Sequence, residues 1–456
     1  MMPFLVRGLI YPLHEALLRR PTFAYFRSLE RTQFLGREEL EQLQMEKLKR
    51  LLRTAHRHSP WFHRVIGESG IDLGAGSRLD MESLRRLPTM DKQTAREHGA
   101  EMVWHGVPGG AYPYNTGGSS GEPLRFYFGR MRQASDAAAR MRARRWWGVE
   151  PGDREVYLWG APVELNNTDR IKQFRDRLFN QLVLNAFEMS RASMDEYLEI
   201  LPRFDPVCIY GYASSLSLLA RHARERGLRP GMRSLKVVCT TGEPLYPHQR
   251  EIIQEVFGVP VANEYGSRDV GFNAHEAPGG QMLMTSESII LEILDERGEP
   301  VAPGETGEAV MTGLCSEAQP FIRYRTGDML SYLEQPAWGG RGLHVLSEVE
   351  GRSTDFVLRS DGTVMHALAV IYEIRDKPGV AEFKFIQHEL EACEVLVVTA
   401  AGWVEGETDR AIIADLRARL GNEVRVRVRQ VDEIPPERSG KHRYVVSRVA
   451  GRWSGS

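Results

Sequence analysis

The middle of the chain, from residue 101 to about residue 350, alternates short apolar or β-branched runs with helical stretches. The runs typical of strands are REVYLWG, PVCIYGYA, SLKVVCTTGEPL, IILEILDERGEP and GEAVMTGL. Stretches such as ASDAAARMRARRWW and SMDEYLEILPRF lie between them and are typical of helices. Because such alternation packs helices against sheets, it predicts a layered α/β architecture. The turn-rich segment DERGEPVAPGETGE predicts an antiparallel hairpin region.

The two flanking regions differ in character from this middle. Residues 1–100 are expected to be mainly helical, since REELEQLQMEKLKRLLRTAHRHS places leucines at helical spacing. Beyond Arg352 the chain contains three strand-like runs, EFKFIQHEL, CEVLVVTA and EVRVRVRQV, and one helical run, ETDRAIIADLRARLG. We therefore predict a large N-terminal domain over residues 1–352 and a small α+β domain over residues 353–456.

Composition excludes several classes of function. The 456 residues carry a net charge of −2 at neutral pH, which argues against nucleic acid as the main partner. The chain has no CxxC pair, so a zinc ribbon or a disulfide framework is not expected, and a reducing, cytoplasmic setting is favoured. The four cysteines lie far apart, at Cys208, Cys239, Cys315 and Cys393.

The N-terminal stretch MMPFLVRGLIYPLHEALLRR has apolar runs that are too short to span a bilayer. The runs are interrupted by Arg7, His14, Glu15 and Arg19. No signal-peptide cleavage pattern or integral membrane segment is predicted. The apolar face of a helix here would consist of Leu5, Leu9, Leu17 and Leu18. We expect this face to pack on the body of the protein, and contact with a membrane surface is the alternative.

A glycine- and hydroxyl-rich loop, NTGGSSGEPL, occupies residues 115–124. It interleaves glycines with hydroxyl side chains, in the order Thr116, Gly117, Gly118, Ser119, Ser120 and Gly121. Successive backbone N–H groups in such a loop can form an anion-binding nest, which predicts a phosphate or pyrophosphate ligand. The loop matches neither Walker A nor GxGxxG. A flexible surface linker is the alternative interpretation.

Six further polar or glycine-bearing segments follow the loop, each next to a strand-like run. They are YGYASSL (210–216), TTGEPL (240–245), NEYGSRDVG (263–271), RYRTGD (323–328), EGRSTD (350–355) and ERSGKHR (437–443). In this order, the seven segments resemble the adenylate-forming superfamily of acyl-CoA synthetases. The likeness covers nearly the whole chain and is greatest to the phenylacetate-CoA ligase branch and its CapK-like proteins. The resemblance implies an acid–thiol ligase that forms acyl-AMP from a carboxylic acid and ATP.

The resemblance implies a set of nucleotide-binding residues. The loop over residues 116–121 would hold the β- and γ-phosphates. Glu243, Pro244 and Leu245 would line the adenine pocket. Tyr265 would stack on the adenine, and Gly266 and Ser267 would shape the turn below it. Asp328 would accept hydrogen bonds from the ribose hydroxyls, and Arg352 would lie near the ribose or the phosphates.

Two charged residues are implied to act in the chemistry. Lys441 would bring a positive charge to the α-phosphate and the carboxylate. Asp269 lies where the superfamily usually has a Mg²⁺-binding glutamate, and a shorter carboxylate can still bind the metal together with phosphate oxygens. Asp355 matches the hinge about which the small domain turns. Many relatives carry a lysine after the glycines of the phosphate loop, where this chain offers only Arg125 as a substitute.

The resemblance implies that the acid substrate binds near the ends of the strand-like runs REVYLWG and PVCIYGYA. The candidate lining residues are Trp159, Gly160, Tyr210, Tyr212, Ala213 and Ser214. Packing of the same residues in the core of the sheet is an equally good interpretation. After the hinge the chain reads FVLRSDGTVMHAL, as in the CapK-like group, and this departure does not support phenylacetate as the substrate.

Several relatives carry a Cys/His cluster typical of a metal site, and this chain departs from it. Ala277 and Met282 stand where a cysteine and a histidine would be expected, and the segment AWGGRG lacks cysteine. His275 and Cys315 remain nearby in the sequence, but zinc prefers four Cys or His ligands. We therefore expect no zinc.

The acid and the acyl acceptor stay open at this stage. CoA is the expected acceptor, and an amine, a saccharide hydroxyl or a carrier-protein thiol are alternatives. Transfer of AMP to a cofactor is a further variant. A non-catalytic nucleotide-binding homologue is the alternative from another class of protein, and the resemblance also allows a homodimer.

Overall fold

The computed structural model describes residues 2–115, 124–159, 175–186, 189, 191–347, 349, 356–359, 364–366, 368–375, 377–434 and 444–449. The chain divides into two compact units: residues 1–326 with 330–349, and residues 327–329 with 350–456. The predicted boundary at residues 352/353 falls outside the described residues. That boundary stays a prediction.

Helices and strands alternate through most of the described chain. The helices are α1 Pro3–Leu5, α2 Tyr11–Leu17, α3 Thr22–Thr32, α4 Arg37–His58, α5 Pro60–Glu68, α6 Met81–Arg85, α7 Lys92–Glu97, α8 Gly99–Met102, α9 Arg130–Trp146, α10 Arg191–Phe204, α11 Ala213–Glu225, α12 Pro247–Phe257, α13 Leu368–Arg375 and α14 Thr408–Leu420. A π-helical turn, Val6–Ile10, joins α1 to α2, and a 3₁₀ turn spans Trp338–Gly340.

The strands fall into several sheets. They are β1 Tyr112–Asn115, β2 Arg125–Phe128, β3 Glu155–Trp159, β4 Gln181–Asn185, β5 Cys208–Gly211, β6 Val237–Thr241, β7 Val261–Ser267, β8 Gly271–Glu276, β9 Met282–Met284, β10 Ile289–Leu294, β11 Gly307–Gly313, β12 Tyr324–Leu330, β13 Tyr332–Leu333, β14 Val345–Leu346, β15 Phe356–Leu358, β16 Val364–His366, β17 Val380–Glu389, β18 Ala392–Thr399, β19 Arg425–Gln430 and β20 Val445–Ser447.

A nine-stranded sheet organises the first unit, with strand order β13-β14-β9-β8-β7-β6-β5-β3-β4. Neighbouring strands from β4 to β7 are parallel, and those from β7 to β13 are antiparallel. One face of the parallel half packs its apolar side chains, among them Ile209 and Val238, against helices α10, α11 and α12. Such layering confirms the predicted α/β class.

The strand and helix assignments made from the pattern of apolar residues are confirmed in this half of the chain. The runs REVYLWG, PVCIYGYA and SLKVVCTTGEPL form β3, β5 and β6, and the turn-rich segment joins the antiparallel strands β10 and β11. Helix α12 shows the usual end signals, with Pro247 in its first turn and Gly258 at its end. Gly258 has a φ of +69°, which favours glycine.

The second unit contains a four-stranded sheet of order β19-β18-β17-β20. Strands β17 and β18 form an antiparallel hairpin, while β19 and β20 pair in parallel with β18 and β17. Buried residues of the sheet, such as Phe385 and Val395, and of helix α14, such as Ile412 and Leu416, supply apolar side chains to this unit. The three predicted strands and the predicted helix of this region are confirmed.

The N-terminal helix, residues 3–17, contradicts one expectation. Its apolar face was expected to pack on the body of the protein, but Leu5, Leu9 and Leu17 are exposed to solvent. Val6 and Glu15 are buried instead. The expectation was wrong because the side of the helix that carries Val6, Arg7, Tyr11 and Glu15 makes the contacts with the rest of the unit. Leu18 is half-buried.

In the part of the chain that the structure describes, no helix is both long enough and apolar enough to cross a membrane.

Candidate functional site

Polar and aromatic residues collect where the parallel strands of the large sheet end. The register pairs Tyr157 of β3 with Tyr210 of β5, and Thr241 of β6 with Glu264 of β7. Since the carboxyl ends of parallel strands meet at one edge, the residues that follow these strands share that edge. In open α/β sheets this edge is where ligands usually bind. We call it the carboxyl edge, formed by the ends of β3, β5, β6 and β7 and the residues after them.

An aromatic stack covers the ends of β3 and β5. The ring of Trp159 lies 4.4 Å from the ring of Tyr212 and 5.6 Å from that of Tyr210, with interplanar angles of 17° and 22°. Gly211 lies between the two tyrosines, and a Cβ atom there would come within 2.6 Å of the backbone oxygen of Leu158. Glycine therefore lets β5 approach β3 closely and places both tyrosines beside Trp159.

Glu243 links the end of β6 to the start of helix α11. One of its carboxylate oxygens, Oε2, accepts a hydrogen bond of 3.0 Å from the backbone N–H of Ser214. A carboxylate at a helix N-terminus is stabilised by the free N–H groups and the helix dipole. Gly242 adopts a φ of +75°, which allows the turn that brings Glu243 back toward the helix. Burial raises the pKa of the Tyr212 phenol to about 12, and the charge of Glu243 adds to this rise.

Beneath the carboxyl edge lies a buried carboxylate, Glu264, on the strand that leads to Tyr265. Its Oε1 accepts hydrogen bonds from the hydroxyls of Tyr210, at 2.7 Å, and Thr241, at 3.2 Å. Its Oε2 lies 3.6 Å from Nε of Arg140 without a hydrogen bond. Burial opposes ionisation of Glu264, but the charges of Arg140, His275 and Arg144 outweigh it and hold its pKa below the usual value.

Helix α9 directs a row of charged side chains at this region of the sheet. Arg132, Asp136, Arg140 and Arg144 recur at a spacing of four, which places them along one side of the helix. Arg144 is paired with Glu155 and donates to the Tyr157 hydroxyl at 2.9 Å. Arg144 and Arg140 also lie over the ring of Tyr210, at 4.9 and 5.6 Å from its centroid. The ring of Tyr210 thus contacts two cations and the indole of Trp159.

Asp269, the predicted metal-binding carboxylate, is buried and anchored on both its side chain and its backbone. The hydroxyl of Tyr324 donates to Oδ2 at 2.7 Å. Arg132 donates to the backbone oxygen of Asp269 and to Oγ of Ser316, both at 3.1 Å. The position of the carboxylate is therefore fixed by residues of β12 and α9.

The structure describes some of the predicted site residues and brings several together. Those at the carboxyl edge are Trp159, Tyr210, Tyr212, Ala213, Ser214, Glu243, Pro244, Tyr265, Gly266 and Ser267. Tyr265 packs in a hydrophobic cluster, and a bulge separates it from Gly266 in the pairing of β7 with β8. Asp328 is buried in strand β12 of a three-stranded sheet.

Other predicted residues lie outside the described residues. They are Thr116, Gly117, Gly118, Ser119, Ser120, Gly121, Gly160, Arg352, Asp355 and Lys441. Their roles stay predictions. Among the residues that are described, no group of three or more His, Cys, Asp or Glu side chains could hold a metal ion.

Sequence reasoning missed Glu264, Arg132, Arg140 and Arg144. A signal for the arginines was present, because a helix with charges at a spacing of four between two predicted strands has to place some of them against the sheet. Glu264 gave a weaker signal, as a lone acid within the strand run VANEY. A carboxylate there requires cationic or hydroxyl partners when it is buried.

Comparisons with known proteins show what the chain is similar to. The CapK C-terminal domain family matches residues 357–448. Protein CapK of Staphylococcus aureus is 19% identical over 434 residues, which cover 94% of each chain. Phenylacetate-coenzyme A ligase of Thermus thermophilus is 26% identical over 340 residues, covering 71% of this chain and 73% of that protein. A solved structure of 2-hydroxyisobutyryl-CoA ligase in the postadenylation state covers 93% of each chain at 22% identity, with a TM-score of 0.71.

These similarities confirm the predicted resemblance to the adenylate-forming superfamily, in its phenylacetate-CoA ligase and CapK-like branch. The likeness to the solved structure concerns the fold.

Proposed function

We propose that this chain, which resembles the phenylacetate-CoA ligase and CapK-like branch, is an ATP-dependent carboxylic acid ligase. It activates an acid as acyl-AMP and transfers the acyl group to a thiol, with CoA as the acceptor. The proposal draws on two curated relatives, CapK over 94% of the chain and a phenylacetate-coenzyme A ligase over 71% of it. It also draws on the order of the seven motifs.

The observation that carries the proposal is the convergence of acid-binding and nucleotide-binding candidates at the carboxyl edge. The stacked rings of Trp159 and Tyr212 lie at the ends of β3 and β5. The hydrogen bond from the backbone N–H of Ser214 to Glu243 connects this aromatic stack to the residues after β6. Tyr265 lies near the carboxyl end of the neighbouring parallel strand β7. An acid held against the aromatic stack would lie beside a nucleotide held by the residues after β6 and near the end of β7. Adenylation needs this proximity.

In the first half-reaction, a carboxylate oxygen of the acid attacks the α-phosphorus of ATP. The bond from the α-phosphorus to the bridging oxygen breaks, and pyrophosphate leaves with the electron pair. The side chain of Lys441 would stabilise the negative charge that develops on the α-phosphate. Backbone N–H groups of residues 116–121 would hold the leaving pyrophosphate, and Asp328 would orient the ribose.

The residues present fit a Mg²⁺ ion that is shared with the nucleotide. Mg²⁺ is usually held by one or two carboxylates together with phosphate oxygens. Asp269 offers one such carboxylate, whose position is fixed by the Tyr324 hydroxyl. Bound there, Mg²⁺ would offset the negative charge of the phosphates.

In the second half-reaction, the CoA thiolate attacks the carbonyl carbon of acyl-AMP. The bond from this carbon to the AMP oxygen breaks, so that AMP leaves and a thioester remains. We propose that the small domain turns about Asp355 between the two half-reactions, which would remove Lys441 from the site and admit the thiol.

Acid-dependent pyrophosphate release tests this proposal. The purified chain is incubated with ATP and Mg²⁺ and a panel of aryl, fatty, hydroxy, amino and sugar acids, with and without CoA. We expect release with one class of acid and an acyl-CoA product when CoA is added. Release without any effect of CoA would point to an amine, saccharide or carrier-protein acceptor. If ATP binds but no acid releases pyrophosphate, the catalytic proposal fails in favour of a nucleotide-binding homologue.

The substitution Lys441→Ala separates chemistry from nucleotide binding. We expect acyl-AMP formation to fall by at least about 100-fold, because one charge that acts mainly in the transition state is removed. ATP binding, measured by calorimetry, should change little, since the other proposed nucleotide contacts belong to the large domain. An equal loss of ATP binding and adenylation would contradict the role given to Lys441.

A further inference from the structure

The N-terminal helix presents an apolar face to solvent. The side chains concerned are Met2, Phe4, Leu5, Leu9, Leu13 and Leu17, with exposed fractions of 61, 64, 41, 61, 56 and 75%. Gly8 and Ala16 are exposed as well, while Arg7, whose side chain is 42% exposed, pairs with Glu150 and Asp153 on the other side of the helix. Monomeric proteins rarely expose contiguous apolar patches of more than a few hundred Å². Scattered surface leucines therefore do not account for this face.

The backbone keeps the four leucines in one row. A spacing of four residues overshoots an α-helical turn of about 3.6 residues, so the row would drift around a regular helix. Between Leu5 and Leu9 the chain forms the π-helical turn Val6–Ile10, closed by a bond from the N–H of Tyr11 to the oxygen of Val6. A wider turn at this point absorbs part of the drift.

Contacts on the opposite side prevent the helix from turning its leucines inward. Val6 is completely buried. Nε of Arg7 donates to the backbone oxygen of Pro151 at 3.1 Å, and the guanidinium lies 3.7 Å from Glu150 and 3.5 Å from Asp153. Rotation of the helix would break these contacts.

Glu15 provides a second anchor at the other end of the helix. Its carboxylate is buried and accepts a hydrogen bond of 2.5 Å from the hydroxyl of Thr22. Arg20 lies 3.6 Å from it, and Nδ1 of His14 lies 3.0 Å away. Exposing this carboxylate to turn the leucines inward would strip it of its partners, which is costly for a buried acid. The outward direction of the leucines is thus fixed by polar contacts at both ends.

Charge identifies the partner that fits this face. Arg19 is exposed just after the helix, and Arg27 and Arg31 are exposed on the next helix, α3. The acids from residue 2 to residue 31 are Glu15, which is buried, and Glu30, which pairs with Arg145 at 2.6 Å. An apolar face that is followed in the chain by exposed arginines fits a bilayer, whose interior is apolar and whose anionic headgroups are negatively charged. A contact between two copies of the face would instead bring like charges together.

We propose that the N-terminal helix is a docking element for an anionic lipid bilayer. Helices with an apolar face and arginines at its border lie in the plane of the interface and bury that face among the acyl chains. At a rise of about 1.5 Å per residue, the 15 residues span about 22 Å, less than the hydrocarbon core of about 30 Å. The helix would therefore lie on the bilayer surface and not cross it. Docking of this kind does not depend on the proposed catalytic activity.

Vesicle flotation with the full chain tests the docking element. Vesicles of phosphatidylcholine alone are compared with vesicles that contain 30% phosphatidylglycerol, at low and high salt. We expect binding to the anionic vesicles that weakens with salt. The double substitution Leu9→Gln with Leu13→Gln should lower the partition coefficient by at least about tenfold. Arg19→Gln should lower it less and reduce its salt dependence.

A matched control uses leucines of similar exposure elsewhere. Leu228 and Leu390 are exposed by 44 and 41%, and Leu228→Gln with Leu390→Gln should bind vesicles like the unsubstituted chain. Three results would overturn the proposal: no binding to anionic vesicles at low salt, equal binding by both double variants, or self-association that is lost with Leu9 and Leu13 in the absence of lipid binding. Circular dichroism of each variant checks that it is folded.

Discussion

A surface helix usually buries its apolar side chains and exposes its charged ones. Helix α9 and the N-terminal helix each depart from this arrangement, in different ways. Helix α9 buries charged side chains, among them Arg132, Arg142 and Arg144, while the N-terminal helix exposes leucines. The buried charges of α9 find partners within the chain, such as Glu287 for Arg142 and Glu155 for Arg144. The exposed leucines instead form an apolar face without a cover among the described residues, and exposed arginines follow it in the chain.

The two helices are distinguished by whether their unusual side chains have partners within the chain. A buried charge is tolerated only when it is paired and hydrogen-bonded. The partners of α9 lie in and around the large sheet, so that helix serves the stability and the electrostatics of the carboxyl edge. The leucines of the N-terminal helix serve a contact outside the chain. The predictions below test this distinction.

The largest effect is expected at the pair of Arg142 and Glu287. Their charged groups lie 2.5 Å apart, and each side chain is only 1% exposed. Arg142→Met leaves a buried carboxylate without its cation, which should lower the free energy of unfolding by about 3–5 kcal/mol. Adding Glu287→Gln should restore part of this loss. The exposed pair of Arg203 and Glu199 is the matched control, and Arg203→Met should change the unfolding free energy by less than about 1 kcal/mol.

A pH effect is expected from His275, which lies beneath α9. Burial lowers its pKa to about 4, although the charge of Glu264 opposes this shift. In the unfolded chain the pKa is about 6.5, so between these values the unfolded state binds more protons and stability falls as the pH falls. The contribution is present above about pH 6.5, and about 3 kcal/mol is lost on acidification through pH 4.

Urea unfolding at several pH values measures this effect. The variant His275→Gln should show a shallower fall in stability between pH 6.5 and 4 than the unsubstituted chain. His105, which is exposed, supplies the control His105→Gln, whose pH dependence should match the unsubstituted chain. An identical slope for His275→Gln and the unsubstituted chain would contradict the account.

A smaller effect is expected at Glu264, because its cationic partner is partly exposed. Glu264→Gln keeps an oxygen that can accept from Tyr210 but removes the charge opposite Arg140, whose side chain is 38% exposed. We expect a loss of about 1–2 kcal/mol in the free energy of unfolding. Tyr210→Phe, which removes one hydrogen bond and keeps both charges, separates the two contributions. A larger loss from Tyr210→Phe than from Glu264→Gln would assign the effect to the hydrogen bond.

The smallest effect is expected in the row of leucines. Leu9→Ala removes a side chain that is mostly in water, so the free energy of unfolding should change by less than about 0.5 kcal/mol. Leu48 of helix α4 is fully buried, and Leu48→Ala should cost about 2–5 kcal/mol. Differential scanning calorimetry of both variants makes the comparison. Equal losses would mean that Leu9 is packed within the chain.

The fold was predictable where local pattern and burial agree. Strands β5 and β6 are buried along their whole length, as is usual for strands within a parallel sheet. Their continuous apolar runs therefore indicate buried strands. The prediction for the N-terminal helix was wrong because a row of leucines was expected to pack against other residues of the same chain. Only the contacts of Arg7 and Glu15 fix which side faces inward.

The candidate site was predictable only in part, for a related reason. Motifs such as YGYASS and TTGEPL begin in the last residues of strands, and strand order then brings them to one edge. The network of Glu264, Tyr210 and Arg140 joins residues far apart in the sequence. Such pairs depend on sheet register and on the direction of α9, which no local pattern contains.

Exchange of labelled pyrophosphate into ATP, in the absence of CoA, is the direct test for adenylation, because it reports reversible formation of acyl-AMP alone. We expect exchange that requires an acid and Mg²⁺, needs no CoA and is lost in Lys441→Ala. A chain that binds ATP but shows no acid-dependent exchange, across the panel of acids, would contradict the claim that the carboxyl edge is an adenylation site.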